Sequence, residues 1–232
     1  LLKSAHAVDR EFAVLTALHG SDVPVAEPLH LCEDETVVGA MFYVMSFEAG
    51  QIFWDPALPE LDNVARGAVF DEMIRVLAAL HSVDVAKVGL AEYGRPGNYF
   101  ERQFARWEKQ YRATEVDKIE EVEQLIVWLR GALPEDDGAS CLIHGDYRLD
   151  NFIFSTQGLD EGNARIQAVL DWELSTLGHP LADLSYFCMC LRLPRTGLIR
   201  GLTGLDRDAL GLPSEQAVIA RYCALRGISG ID

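Results

Sequence analysis

The segment Leu142-Ile143-His144-Gly145-Asp146-Tyr147-Arg148-Leu149-Asp150-Asn151 places a carboxylate and an amide five positions apart, Asp146 and Asn151. A second acid, Asp171, closes the apolar run Ala168-Val169-Leu170. Between them, Asn151 to Phe154 and Ile166 to Leu170 are β-like runs that flank a polar, Gly-bearing stretch from Ser155 to Arg165, a pattern that predicts a hairpin. Residues just before the first strand of a hairpin and just after the second lie near one another, so Asp146, Asn151 and Asp171 are expected to converge. Two carboxylates and an amide carbonyl suit phosphoryl transfer, because Mg²⁺ prefers hard oxygen ligands and an attacking hydroxyl needs an oriented acceptor for its proton. Asn151 and Asp171 are the candidate metal ligands and Asp146 the candidate base. Each of the three alone reads as a turn residue; the order and spacing together carry the expectation.

The elements that must position these groups follow from periodicity. Ala7 to Leu18 predicts an amphipathic helix with Val8, Phe12, Leu15 and Leu18 on one face, stopped by Gly20. An apolar run, Leu29 to Cys32, an acidic turn, Glu33-Asp34-Glu35, and a β-branched and aromatic run, Val37 to Met45, predict an antiparallel pair. From Asn63 onward helical periodicity takes over, with helices expected over Asn63–Ser82, Phe100–Ala113 and Ile119–Leu133. Their aromatic stripes, Phe104, Trp107 and Tyr111 among them, read as core. Pro134 to Gly138 reads as a loop, His179-Pro180 and Pro213-Ser214 as helix starts. A small β-bearing lobe followed by a larger helical lobe with one hairpin is a two-lobed α+β plan.

His-x-Asp-x-x-x-x-Asn, then an apolar strand, a hairpin and a strand-ending Asp, is also the order of a kinase catalytic loop. The run from His144 to Asn151, with Leu170-Asp171-Trp172-Glu173 and Gly178-His179-Pro180-Leu181-Ala182-Asp183-Leu184, resembles the aminoglycoside phosphotransferase family. The wording from Asp171 to Gly178 is most similar to the branch related to kinase-like domains fused to acyl-CoA dehydrogenases. The resemblance extends over nearly the whole chain. It implies a two-lobed protein-kinase-like fold, with an incomplete nucleotide-binding lobe and hinge over 1–48 and a helical catalytic and substrate lobe over 49–232. It implies ATP and Mg²⁺ as cofactors, Asp146 as base or hydroxyl-orienting group, Asn151 and Asp171 as metal ligands, and His144 as support for the catalytic loop. Arg148 either touches a phosphate or pairs with Asp150, the pairing being favoured. Asp183 either tethers the loop by accepting backbone N–H bonds or is a plain helix-start acid.

In the small lobe, Phe42 to Gly50 resembles the family's strand-to-hinge segment, which would set adenine against Val44 and Met45 and bond it to backbone groups at Ser46 and Glu48. Relatives often carry an acid where Ser46 stands. Glu11 matches the acid that pairs with the small lobe's phosphate-binding cation, or is a surface Glu. No Gly-rich loop and no basic strand residue precede Glu11; Lys3 belongs to or adjoins the same helix. The missing strands are expected to precede Leu1.

Composition limits the alternatives. A net charge of −16 argues against a nucleic-acid surface. No run of eighteen apolar residues and no signal-like start occurs, which points to a cytoplasmic protein without a membrane partner. The five cysteines, Cys32, Cys141, Cys188, Cys190 and Cys223, lack metal spacing and read as reduced core thiols. The expected partner is a small molecule bearing a hydroxyl, whether aminoglycoside-like, hydroxyacyl or another metabolite; the oligomeric state is not encoded in any pattern here. Two other classes remain: a pseudokinase-like binding module, favoured by the missing cation, and a metal-dependent hydrolase, for which the His spacing offers no second metal site.

Overall fold

A computed structural model describes residues 7–231; Lys3 therefore lies outside the described residues. Helix α1 (Val8–Leu18) leads into strands β1 (Pro28–Cys32) and β2 (Phe42–Met45), which pair antiparallel. Helices α2 (Asn63–Leu80), α3 (Tyr99–Thr114) and α4 (Glu120–Ala132) follow. Strands β3 (Cys141–Ile143), β4 (Phe152–Phe154), β5 (Ile166–Val169) and β6 (Thr176–Gly178) come next, then helices α5 (Pro180–Arg192) and α6 (Glu215–Arg226). This is the two-lobed α+β arrangement the sequence predicts.

The β-structure of the described residues is three antiparallel ribbons, and two of them are nested. β4 pairs with β5 as the expected hairpin, Phe152 opposite Val169, while β3 pairs with β6 outside it, Cys141 opposite Gly178 and Ile143 opposite Thr176. The outer ribbon pins both ends of the 144–175 segment at one place, so the hairpin and its flanking loops project from a fixed base. Gly50 joins the small lobe to this assembly. Gln51 exchanges two backbone hydrogen bonds of 2.8 Å with Phe154, and a Cβ at Gly50 would meet the Phe154 carbonyl at 2.3 Å, so only glycine permits the approach.

Helix α2 forms the centre of the large lobe. Its buried residues, among them Val69, Phe70, Met73, Ile74, Leu77 and Leu80, cover most of its circumference, and Asp62 caps its start by accepting from the Ala65 N–H at 2.9 Å. The Tyr147 hydroxyl donates to the Met73 carbonyl at 2.7 Å, which anchors the loop after β3 to this helix.

Two expectations are corrected. The strand predicted over Val37 to Met45 begins only at Phe42, because Asp34 accepts from the Thr36 N–H, Gly39 bonds back to Glu35 with φ of +90°, and the resulting turn leaves Val37 and Val38 exposed. The aromatic stripe of α3 is not core: no residue of α3 is buried and Trp107 is 57% exposed. α3 and α4 pair with each other through Arg130–Glu108 and Arg112–Glu123, and guanidinium groups lie over Phe104, Trp107 and Tyr111.

Candidate functional site

The loop between β3 and β4 carries the site. It leaves β3 at His144, turns at Gly145 with φ of +87°, and passes through a 3₁₀ turn at Leu149–Asn151. A Cβ at Gly145 would lie 2.7 Å from the Leu174 carbonyl, so the close approach to the segment returning from β5 requires glycine. The nesting brings the three predicted groups to one end of the hairpin. The Leu170 N–H donates to the Asn151 carbonyl at 2.9 Å, and Asp171 follows directly in the left-handed region, φ +63° and ψ +61°. Asp171 is exposed at this mouth, whereas Asn151 is buried.

Asp146 is held by three side chains. Its Oδ1 accepts from the Tyr186 hydroxyl at 2.5 Å, and its Oδ2 accepts from Arg148 Nε and Asn151 Nδ2, both at 3.1 Å. Burial pushes the Asp146 carboxyl up, but these donors, Tyr186 foremost, hold it below the usual carboxylate range. Arg148 also reaches Asp150 at 2.8 Å, so the predicted pairing is present and the guanidinium bridges both acids. The Asn151 amide nitrogen is further engaged by the Asp146 carbonyl at 2.8 Å, which leaves its oxygen as the atom free to meet a cation.

His144 is fully buried. Its Nε2 donates to the Leu170 carbonyl at 2.8 Å and its Nδ1 accepts from the Asp146 N–H at 3.2 Å, so the neutral ring ties the loop to the residue before Asp171. Burial holds its pKa below the ordinary histidine value. Its ring packs 4.7 Å from Trp172, centroid to centroid. From α5, Asp183 accepts from the His144 N–H at 2.7 Å and the Gly145 N–H at 2.8 Å, the geometry of a loop tether.

Sequence reasoning missed the groups that support these. His81, at the end of α2, contacts Asp183 at 3.3 Å through Nε2 and the Tyr222 hydroxyl of α6 at 2.7 Å through Nδ1. All three are buried. Burial raises the Asp183 carboxyl, but His81 and the His144 N–H outweigh it and the net direction is down. His81 and Asp183 are 102 residues apart, and no local pattern links them. Tyr186 was legible as a helix residue only, although its spacing of three from Asp183 puts both on one face of α5.

The residues expected to take the nucleotide lie on α1, on β2 and on the segment just after β2. Val44 and Met45 are 42% and 40% exposed on β2. The Ser46 N–H is committed to the Glu27 carbonyl at 2.9 Å and its hydroxyl bonds Glu48, so of the Ser46 backbone only the carbonyl remains for a ligand, with the Glu48 N–H beside it. Glu11 accepts from the Tyr43 hydroxyl at 3.1 Å. Burial first, then the charges of Glu11 and Asp171, push that hydroxyl up to about 12, which places Glu11 and the Asp171 end of the hairpin in one electrostatic neighbourhood.

The same loop borders a cavity of about 200 Å³, with Trp54, Arg148, Asp150, Phe187, Leu198 and Arg200 in its wall. α2 contributes only Phe70 to it, and α3 contributes nothing; α3 instead lines a separate hollow with Arg10, Gly145 and Glu173. Among the described residues no three His, Cys, Asp or Glu side chains group to hold a metal, and none of the helices is long and apolar enough to cross a membrane. The Asn151 oxygen and the exposed Asp171 carboxylate are two hard donors at the same end of the hairpin. That set fits Mg²⁺, which binds through one or two protein oxygens and takes the rest from phosphates and water.

Comparison with known proteins bears on the family and the fold. The chain is 43% identical over 233 residues to acyl-CoA dehydrogenase family member 10 of Mus musculus, covering 100% of this chain and 21% of that protein, so it spans about a fifth of that relative. A Ralstonia eutropha protein provisionally described as an aminoglycoside phosphotransferase superposes with a TM-score of 0.90 at 46% identity, covering 97% of this chain and 67% of that one. Aminoglycoside phosphotransferase APH(3'')-Id of Streptomyces rimosus, solved with ADP and streptomycin, shares the fold at a TM-score of 0.60 and 18% identity, covering 100% and 79%. The family model described as phosphotransferase enzyme family matches residues 2–215, and the chain belongs to that family.

Proposed function

We propose that this chain transfers the γ-phosphoryl group of ATP to a hydroxyl of a small molecule. The observation that carries the reading is the convergence of Asp146, Asn151 and Asp171 on one end of a hairpin, with the base held by three donors and its loop tethered from α5. Asp146 orients the acceptor hydroxyl and takes its proton. Asn151 and Asp171 hold Mg²⁺, which when bound neutralises the charge of the phosphate oxygens. Arg148 fixes the Asp146 carboxylate and offers its remaining N–H groups to a transferred phosphoryl. His144 and Asp183 keep the loop in register. The small lobe and hinge, 1–48, take the nucleotide: adenine against Val44 and Met45, the Ser46 carbonyl and the Glu48 N–H reading its edge, and Glu11 pairing with the cation that grips the phosphates. Rate acceleration comes from positioning and charge stabilisation.

The cavity walled by Arg148 and Asp150 receives the acceptor, a hydroxyl-bearing compound of aminoglycoside-like, hydroxyacyl or other metabolite type, in the cytoplasm. The second reading, a binding module without turnover, is favoured by the absence, among the described residues, of a Lys or Arg on the small-lobe strands. Steady-state ADP release by the full-length protein, with and without Asp146→Asn and across a library of hydroxyl compounds, separates the two. Turnover that falls by about 10²-fold or more in the variant supports transfer; Mg-ATP binding with no ADP release from the wild type supports the module.

A further inference from the structure

We infer that Tyr186 is a positioning residue for phosphoryl transfer, holding the Asp146 carboxylate so that Oδ1 meets the incoming hydroxyl. The inference rests on the proposed transfer reaction. The three donors on Asp146 are unevenly shared: Oδ2 receives both Arg148 and Asn151, whereas Oδ1 receives Tyr186 alone. A carboxylate oxygen accepts about two hydrogen bonds. Oδ2 is therefore saturated by the protein and Oδ1 keeps one open site, which makes Oδ1 the oxygen that takes the acceptor's proton.

α5 delivers this control at two levels. Asp183 fixes the main chain at His144 and Gly145, and Tyr186, one turn further, fixes the side chain of Asp146. The tether alone leaves the carboxylate free to rotate about χ2, a broad torsion for Asp. The Tyr186 bond removes that rotation from outside the loop, while Arg148 and Asn151 act from within it. The ring is partly buried and lies on the same helix as Phe187 and Cys190, which face the cavity. Its hydroxyl reaches Asp146 from the helix that also supplies part of the cavity wall.

The test needs no identified acceptor, since water can accept the phosphoryl group. Mg-ATP hydrolysis by the full-length protein is measured for wild type, Asp146→Asn and Tyr186→Phe, with kcat and KM for ATP resolved separately. Tyr186→Phe removes one oxygen, and its thermal midpoint checks that the fold is intact. The expected result is a kcat lower by about tenfold or more, the weight of one hydrogen bond to a charged group, with KM for ATP unchanged. Arg148 and Asn151 remain in place in this variant, so a structural role for Tyr186 predicts an unchanged kcat in a well-folded protein. An unchanged kcat overturns the inference, and a raised kcat overturns it in favour of a hydroxyl that competes with the acceptor. Should hydrolysis be equal in wild type and Asp146→Asn, it is the transfer reading itself that fails.

Discussion

Replacing Asp183 by Ala removes the acceptor of a buried main-chain N–H at His144 and a part-buried one at Gly145, and leaves His81 Nε2 without its carboxylate. Asp183 is 1% exposed, so water does not repair the loss. Each orphaned buried donor costs about 1–3 kcal/mol, and breaking a buried polar cluster by removing one partner costs about 3–5 kcal/mol in all. For a chain of this size each kcal/mol lowers the melting temperature by about 2–4 °C, so a drop of about 10 °C is expected. Asp183→Asn keeps one acceptor oxygen and should lose about half as much. Urea unfolding followed by tryptophan fluorescence reads the effect directly, because Trp172 is buried against His144 in the tethered loop. A loss below about 1 kcal/mol for Asp183→Ala would refute the tether, since even one unpaired buried donor costs that much.

Gly145→Ala places a methyl group against the Leu174 carbonyl at a positive φ, and should lower both stability, by about 1 kcal/mol or more, and turnover; wild-type unfolding midpoints and ADP release would show that the loop tolerates a side chain there. The pH dependence of stability should carry the signature of His144. Its folded pKa is depressed below 6.5, so the unfolded chain binds a proton that the folded chain refuses. This contribution is complete above about pH 6.5 and declines as pH falls towards the depressed folded value, at up to about 1.4 kcal/mol per unit. Urea midpoints from pH 7.5 to 5.5 should fall more steeply for wild type than for His144→Gln; equal slopes would mean that the buried ring does not couple to folding.

Much of the site was legible because its chemistry is compressed into thirty residues. Hairpin logic alone brings Asn151 beside Asp171, and the ladder from Phe152 to Val169 does so in the structure. The outer ribbon was not legible, since Cys141–Ile143 and Thr176–Gly178 are three-residue strands too short to show a period. The same holds for His81, Tyr222 and Tyr186, whose partners lie 102, 141 and 40 residues away and are brought near only by helix packing. The aromatic stripe on α3 misled for a different reason: periodicity reports one face of a helix, but not whether apolar side chains or guanidinium groups cover it. At Val37 and Val38, β-branched residues suggested strand, and the Asp34 turn with Gly39 overrode them.

The central claim is that the Asp146 end of the hairpin moves a phosphoryl group onto a hydroxyl. ³¹P NMR of the full-length protein with Mg-ATP and a pool of hydroxyl compounds tests it most directly. A new phosphomonoester signal should grow one-for-one with ADP and be absent in Asp146→Asn. Bound Mg-ATP that yields no phosphomonoester, or a signal that persists in Asp146→Asn, would contradict it.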